Sequence, residues 1–167
     1  MFTAAVVTVS DKGSQGLRED TSGPLLSKML KNDGYDIVHE CIIPDDQKTI
    51  MDTLIELSDR MKVNLILTTG GTGFSMRDVT PEATEAILER RAPGLSELAR
   101  LESLKITPKA ALSRATSGIR KKSLIVNMPG SPKAAREHLE VLMPVLDHGL
   151  DILLGLDGEC AQSETRK

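Results

Sequence analysis

Apolar runs alternate with helical periodicity along the first half of the chain. Residues 4–9 are β-branched and apolar and predict a strand. The polar, glycine-containing stretch over 10–21 predicts a loop. From Ser22-Gly23-Pro24 onward, Leu25, Leu26, Met29 and Leu30 recur on one helical face, and Gly34 marks the stop. Residues 36–43 predict a second strand. Pro44-Asp45-Asp46 reads as a turn, with Asp46 placed to cap a helix that turns Ile50, Leu54, Ile55 and Leu57 inward. Residues 63–69 form a third apolar run. Such alternation favours a mostly parallel sheet with helices on both faces.

The second half is more helical. Residues 80–90 predict a helix with Thr80 at its cap and Pro81 at its first position. Residues 94–103 predict another, and Thr107-Pro108 repeats the start signal for a short third. Residues 115–119 and 123–128 predict two strands around Arg120-Lys121-Lys122, a small basic β-hairpin. Ser131 then caps a helix begun by Pro132, which runs to about Leu142, breaks near Pro144 and resumes to Leu154. The tail over 158–167 is polar and predicts fraying. At 167 residues, with no repeat and no linker, a single α/β domain over 1–157 is expected.

Composition narrows the class. Hydrophobic residues at 40% and charged residues at 27% fit an ordinary globular domain. Aromatics are only 2%, which leaves little for stacking bases, so no nucleic-acid partner is expected. The net charge of -3 hides an asymmetry. No acid occurs over 103–136, which holds Lys105, Lys109, Arg114, Arg120, Lys121, Lys122, Lys133 and Arg136. Two readings stand: a solvated, Lys-rich hairpin, or cations facing an anionic ligand.

Cys41 and Cys160 match no metal or redox spacing, and Cys41 reads as a core thiol. His39, His138 and His148 form no ligand pattern and read as surface or packing residues. The N-terminus lacks a basic segment, and no run approaches a membrane span. A cytoplasmic protein with no membrane partner is expected.

Three strand-to-helix junctions carry the candidate chemistry. The first is Ser10-Asp11 through Gly16 to Asp20-Thr21-Ser22-Gly23-Pro24. The second is Gly70-Gly71-Thr72-Gly73 through Arg77-Asp78 to Thr80-Pro81. The third is Asn127-Met128-Pro129-Gly130-Ser131-Pro132. In an open parallel sheet all three lie at the carboxyl edge, where ligands bind, and each leads into a helix N-terminus with free N–H groups. Together they favour a phosphate site. Gly70 to Gly73 lacks the Gly-Lys-Ser/Thr ending of a P-loop, and Met76 stands where a dinucleotide fingerprint has its third glycine. Typical ATPases and dehydrogenases are therefore set aside.

Gly70-Gly71-Thr72-Gly73 followed by Arg77-Asp78-Val79-Thr80-Pro81-Glu82-Ala83 resembles the signature of the MogA/MoaB family of molybdenum cofactor biosynthesis proteins, whose domain also occurs in gephyrin. Ser10-Asp11 with Asp20-Thr21-Ser22-Gly23-Pro24, and Met128-Pro129-Gly130-Ser131-Pro132, match in the same order, so the resemblance covers residues 3–154. It implies a three-layer, molybdopterin-binding-domain-like fold and a homotrimer. It also implies an activity, molybdopterin adenylyltransferase. The terminal phosphate of molybdopterin attacks the α-phosphorus of ATP with Mg2+ present, and pyrophosphate leaves. A MoeA-like molybdenum insertase follows as partner. A non-catalytic, MoaB-like molybdopterin carrier is the alternative, and the Glu19 to Gly23 segment is somewhat MoaB-like. Lys12 stands where arginine is common in related loops.

Residue roles follow from the resemblance and from chemistry. Both reactants are anionic, so their repulsion must be neutralised. Asp78 is the first candidate for a magnesium-side carboxylate. Asp45 matches the family's other functional aspartate. Gly70, Gly71, Thr72 and Gly73 would bring backbone N–H groups to nucleotide phosphates, with Asn127, Gly130 and Ser131 in the same pocket. Ser10, Asp11, Ser22 and Gly23 would complete the pterin and nucleotide surroundings. Plainer readings remain open. Ser22 also reads as a helix cap, Asp20 as an acid favouring that helix start, and Arg77-Asp78 as an exposed ion pair. Leu95, Leu98 and Leu101 read as either trimer surface or core.

Overall fold

The computed structural model describes residues 1–156. The predicted tail and Cys160 lie outside them. Strands β1 (Thr3–Val9), β2 (Asp36–Ile43), β3 (Leu65–Thr69), β4 (Arg90–Arg91), β5 (Ser117–Arg120) and β6 (Ser123–Met128) form one sheet of order β2-β1-β3-β6-β5-β4. The first four in that order pair in parallel, and β5 and β4 add an antiparallel edge. The helices are α1 (Asp11–Ser14), α2 (Ser22–Asn32), α3 (Gln47–Ile55), α4 (Thr80–Ile87), α5 (Pro93–Leu104) and α6 (Pro132–Leu154).

Strand alternation makes two cores. Ala4, Val6, Leu65, Leu67, Leu124 and Val126 point to one face, where Leu26 and Leu30 of α2 and Leu139, Leu142, Leu146 and Leu150 of α6 cover them. Ala5, Val7, Val9, Ile66 and Ile125 point to the other, against Ile50 and Leu54 of α3 and Ala83 and Ile87 of α4. Helix, sheet and helix are thus three layers. β1 and β3 lie inside the sheet and read as continuous apolar runs, whereas edge strand β2 is more exposed at every second residue.

Several elements differ from the sequence expectation. The last helix does not break at Pro144 but runs unbroken through it. Pro144 is solvent-exposed, and four leucines on the opposite face are fully buried. Burying each contributes about 1.5–3 kcal/mol, which together outweighs the about 3 kcal/mol of an interior proline. Helix α4 stops at Ile87, because Leu88 is extended and the chain then joins the sheet edge. Glu89 N–H bonds the Ile119 carbonyl and Ala92 N–H the Ser117 carbonyl, both at 2.9 Å. The helix cap there is Val79, and Thr80 is the first helical residue. Helix α3 continues into a π-helical turn over Glu56–Arg60, which buries Leu57 and Ser58. The element at Thr107-Pro108 is a 3₁₀ turn over Pro108–Leu112, capped by the Thr107 side chain. Leu95 and Leu98 pack against the core, while Leu101 is 61% exposed.

Candidate active site

The loops after β1, β3 and β6 converge on a cleft of about 480 Å³ at the carboxyl edge of the sheet. Thr8, Ser10, Ser22, Asp45, Thr69, Gly70, Gly71, Asp78, Gly130 and Ser131 all line it. Hydrogen bonds fasten the loops to one another. Ser22 Oγ donates to the Gly130 carbonyl at 2.7 Å, and Thr69 Oγ1 donates to the Pro129 carbonyl at 2.8 Å. Thr80 Oγ1 donates to the Gly70 carbonyl at 2.9 Å.

Glycine is required in the middle loop. Gly70 and Gly71 have φ of 102° and 66°, and a side chain at Gly70 would begin 2.3 Å from the Val9 carbonyl oxygen. The backbone is therefore bare where it borders the cleft. Helices α2 and α6 both start there. At α6, Ser131 occupies the cap position with its hydroxyl bonded to nothing in the cap, contrary to the expected role. At α2 the acceptor is Asp20, whose Oδ1 takes the Gly23 N–H at 3.0 Å while Oδ2 takes the Thr8 hydroxyl at 2.6 Å. Ser22 is thus no cap, and its hydroxyl serves the neighbouring loop.

The two aspartates share a pattern. Asp45 Oδ2 accepts the Asp11 N–H at 2.8 Å, and Asp78 Oδ2 accepts the Ser75 N–H at 3.1 Å. The Oδ1 of each has no hydrogen-bond partner among the described residues. Burial pushes the Asp45 carboxyl above its usual range, and the nearby charges of Asp11 and Asp78 push the same way. Asp46 is the cap of α3 as expected, accepting the Thr49 N–H at 2.8 Å.

Other expected residues sit beside the cleft rather than on its wall. Asn127 is buried in β6, where its amide donates to Thr68 and Thr84 hydroxyls at 2.9 Å each and its carbonyl accepts the Thr116 N–H. Thr72 and Gly73 are fixed by Arg114, whose backbone N–H bonds the Thr72 carbonyl and whose Nε bonds the Gly73 carbonyl. Gly23 is packed against Asp20 and Thr8. Asp11 uses its carboxylate on Arg77, with Nε–Oδ2 and Nη2–Oδ1 both at 2.9 Å. The arginine therefore pairs with Asp11 and not with its neighbour Asp78.

The basic window resolves mostly into internal pairs. Arg114 also bonds the Asp78 carbonyl and Glu82, Arg120 makes a two-point contact with Asp59, Lys121 joins Asp59, and Lys105 meets Glu102. Sequence reasoning missed the internal role of Arg114. It also missed Arg18 and Glu19 as lining residues, while Asp20, expected to favour the start of α2, does so and also lines the cleft. Among the described residues, four acids and one cation, Arg18, line the cleft.

The family model described as "Probable molybdopterin binding domain" matches residues 5–148. The chain belongs to this molybdopterin-binding-domain family. A protein of Helicobacter pylori named molybdopterin adenylyltransferase is 42% identical over 153 residues, covering 90% of this chain and 86% of its own. One of the same name from Haemophilus influenzae is 47% identical, covering 84% and 72%. The crystal structure of the molybdopterin biosynthesis enzyme MoaB from Thermus thermophilus superposes with a TM-score of 0.89 at 46% identity, over 93% of this chain and 98% of that one. The α/β, mostly parallel architecture is therefore that of the molybdopterin-binding domain.

A divalent cation fits this cleft in one way. Among the described residues no three His, Cys, Asp or Glu side chains cluster to hold a metal by themselves. Two carboxylates with free oxygens, in a cleft whose charged lining residues are mostly acids, suit magnesium, which is held by one or two carboxylates together with substrate phosphates.

Proposed function

We propose that this protein transfers the adenylyl group of ATP to the terminal phosphate of molybdopterin. A phosphate oxygen of the pterin forms a bond to the α-phosphorus. The bond from that phosphorus to the bridging oxygen of the β-phosphate breaks, and pyrophosphate leaves with the electron pair. The observation that carries this reading is the meeting of Asp45 and Asp78 with the bare Gly70-Gly71 backbone in one cleft, in a chain 42–47% identical to proteins named for that reaction.

The acidic lining makes the electrostatic requirement acute. A triphosphate and a phosphomonoester must enter a cleft lined by Glu19, Asp20, Asp45 and Asp78. Mg2+, held by Asp45 and Asp78, would neutralise charge on the reacting phosphates. Gly70, Gly71, Gly130 and Ser131 would meet phosphate oxygens, and Ser10 and Ser22 would border the pterin. Asp11, Gly23, Thr72, Gly73 and Asn127 would support these groups from behind.

Purified protein given Mg2+, ATP and molybdopterin should release pyrophosphate stoichiometrically with adenylyl-molybdopterin. Retention of the pterin with no pyrophosphate release would overturn this reading in favour of a carrier.

The reading extends to assembly. Exposed Leu101, Leu104, Ile106 and Leu112 support a homotrimer whose closed ring uses a heterologous interface. A monomer at micromolar concentration in sedimentation would exclude it. The product would pass to a MoeA-like insertase in the cytoplasm.

A further inference from the structure

One carboxylate joins helix α1 to two loops. Asp11, which opens the short helix α1 after β1, receives both the Nε and Nη2 hydrogen bonds of Arg77, in the loop after β3, at 2.9 Å. The same carboxylate accepts the backbone N–H of Asp45, in the loop after β2, at 3.0 Å. The Asp11 backbone N–H in turn fixes Asp45 Oδ2 at 2.8 Å. The Asp45 side chain is thereby held by one oxygen, and Oδ1 is left over in a residue that lines the cleft. Arg77 precedes Asp78 directly, so the same contact anchors the loop that carries the second aspartate.

This clasp is a poor candidate for holding the fold. The side chains of Arg77 and Asp11 are 62% and 33% exposed, and exposed pairs contribute little to stability. The Nε–Nη2 edge of Arg77 is committed to Asp11, which leaves only the Nη1 side of the guanidinium for a phosphate.

We infer that Asp11 and Arg77 are positioning residues, a clasp that sets the spacing of Asp45 and Asp78 and so the affinity of the cleft for a nucleotide-bound divalent cation. The inference rests on the adenylyl-transfer reading for its kinetic consequence and on the geometry alone for its binding consequence. Arg77 acts through Asp11, and Asp11 through the Asp45 backbone and side chain. Lysine at position 77 keeps the charge and loses the two-point fork.

The test compares wild type with Arg77→Ala, Arg77→Lys, Asp11→Asn and the Asp11→Asn/Arg77→Ala double variant. Three quantities are read: Mn2+ affinity by its EPR signal with a non-hydrolysable ATP analogue present, kcat and KM for ATP from pyrophosphate release, and the melting temperature. Arg77→Ala and Asp11→Asn should each lower kcat about 10–100-fold, as misplacement of reacting groups does, with KM for ATP rising no further than the cation affinity falls. Each should weaken Mn2+ binding several-fold while melting near wild type. Arg77→Lys should fall between. The double variant should be no worse than the worse single, because the pair acts as one unit. Unchanged Mn2+ affinity, or additive losses in the double variant, would overturn the clasp. A large rise in KM with unchanged kcat would overturn it too, making Arg77 a direct phosphate ligand. If wild type releases no pyrophosphate, the adenylyl-transfer reading fails, and the Mn2+ comparison still decides the clasp.

Discussion

The Ser22 hydroxyl donates a 2.7 Å hydrogen bond to the Gly130 carbonyl, joining positions 108 residues apart in the chain. Ser22 is 5% exposed and begins α2, while Gly130 precedes α6. This bond therefore fixes the distance between two helix N-termini that face one cleft. Ser22→Ala should lose about 1 kcal/mol, the net worth of such a bond, and melt about 2–4 °C lower. The looser loops should also raise KM for ATP. Calorimetry and steady-state kinetics check both, and unchanged values would mean the loops hold without this contact.

Gly70 meets a harder constraint. A methyl group there would stand 2.3 Å from the Val9 carbonyl oxygen, and backbone of a central strand has nowhere to go. The φ of 102° adds strain for any L side chain. Gly70→Ala should therefore destabilise by about 1–3 kcal/mol or more. A methyl group on Gly94 would meet nothing within 4 Å, and φ there is not positive, so Gly94→Ala should be near neutral by comparison. Urea titration of the two variants measures the difference. Equal midpoints would contradict the steric argument.

What the sequence made legible is what local chemistry signals. Apolar runs marked the parallel strands, Asp46 marked its helix start, and the three glycine- and proline-bearing junctions marked the carboxyl edge. Contacts between distant residues left no such signal. Arg77 reaches Asp11 across 66 positions, Arg114 reaches Gly73 across 41, and Arg120 reaches Asp59 across 61. From sequence, Arg114 and Arg120 read as charges available to a ligand or to solvent, and Arg77 as the partner of its neighbour Asp78. The unbroken helix through Pro144 was hidden for the same reason. Local propensity argues for a break there, and only the sheet beneath the four leucines overrides it.

Asp78 offers one free carboxylate oxygen beside the glycine loop, with the other held by the Ser75 N–H. Asp78→Asn keeps the shape and removes the charge. If Asp78 holds magnesium against the reacting phosphates, pyrophosphate release should fall by about 10²–10³-fold, the scale for losing one group that stabilises transition-state charge. Molybdopterin binding, followed by its fluorescence, should persist. A variant that turns over normally would remove Asp78 from the chemistry.

His138 provides a pH test that is independent of the cleft. It is 5% exposed on α6, and burial holds its imidazole below the ordinary value of 6.5, with Arg100 repelling the charged form and Glu137 favouring it. The folded protein thus keeps this side chain neutral at a pH where the unfolded chain already binds a proton. Its contribution is fully present above about pH 6.5 and is lost as pH falls toward the depressed folded value, at a slope of at most about 1.4 kcal/mol per pH unit. His138→Leu removes the titration and leaves His39 and His148 in place. Wild type should therefore lose more melting temperature than His138→Leu between about pH 7.5 and pH 5, on either side of the ordinary histidine value, and the difference in loss should grow as the pH falls. Parallel curves would mean that His138 titrates alike in the folded and unfolded chains.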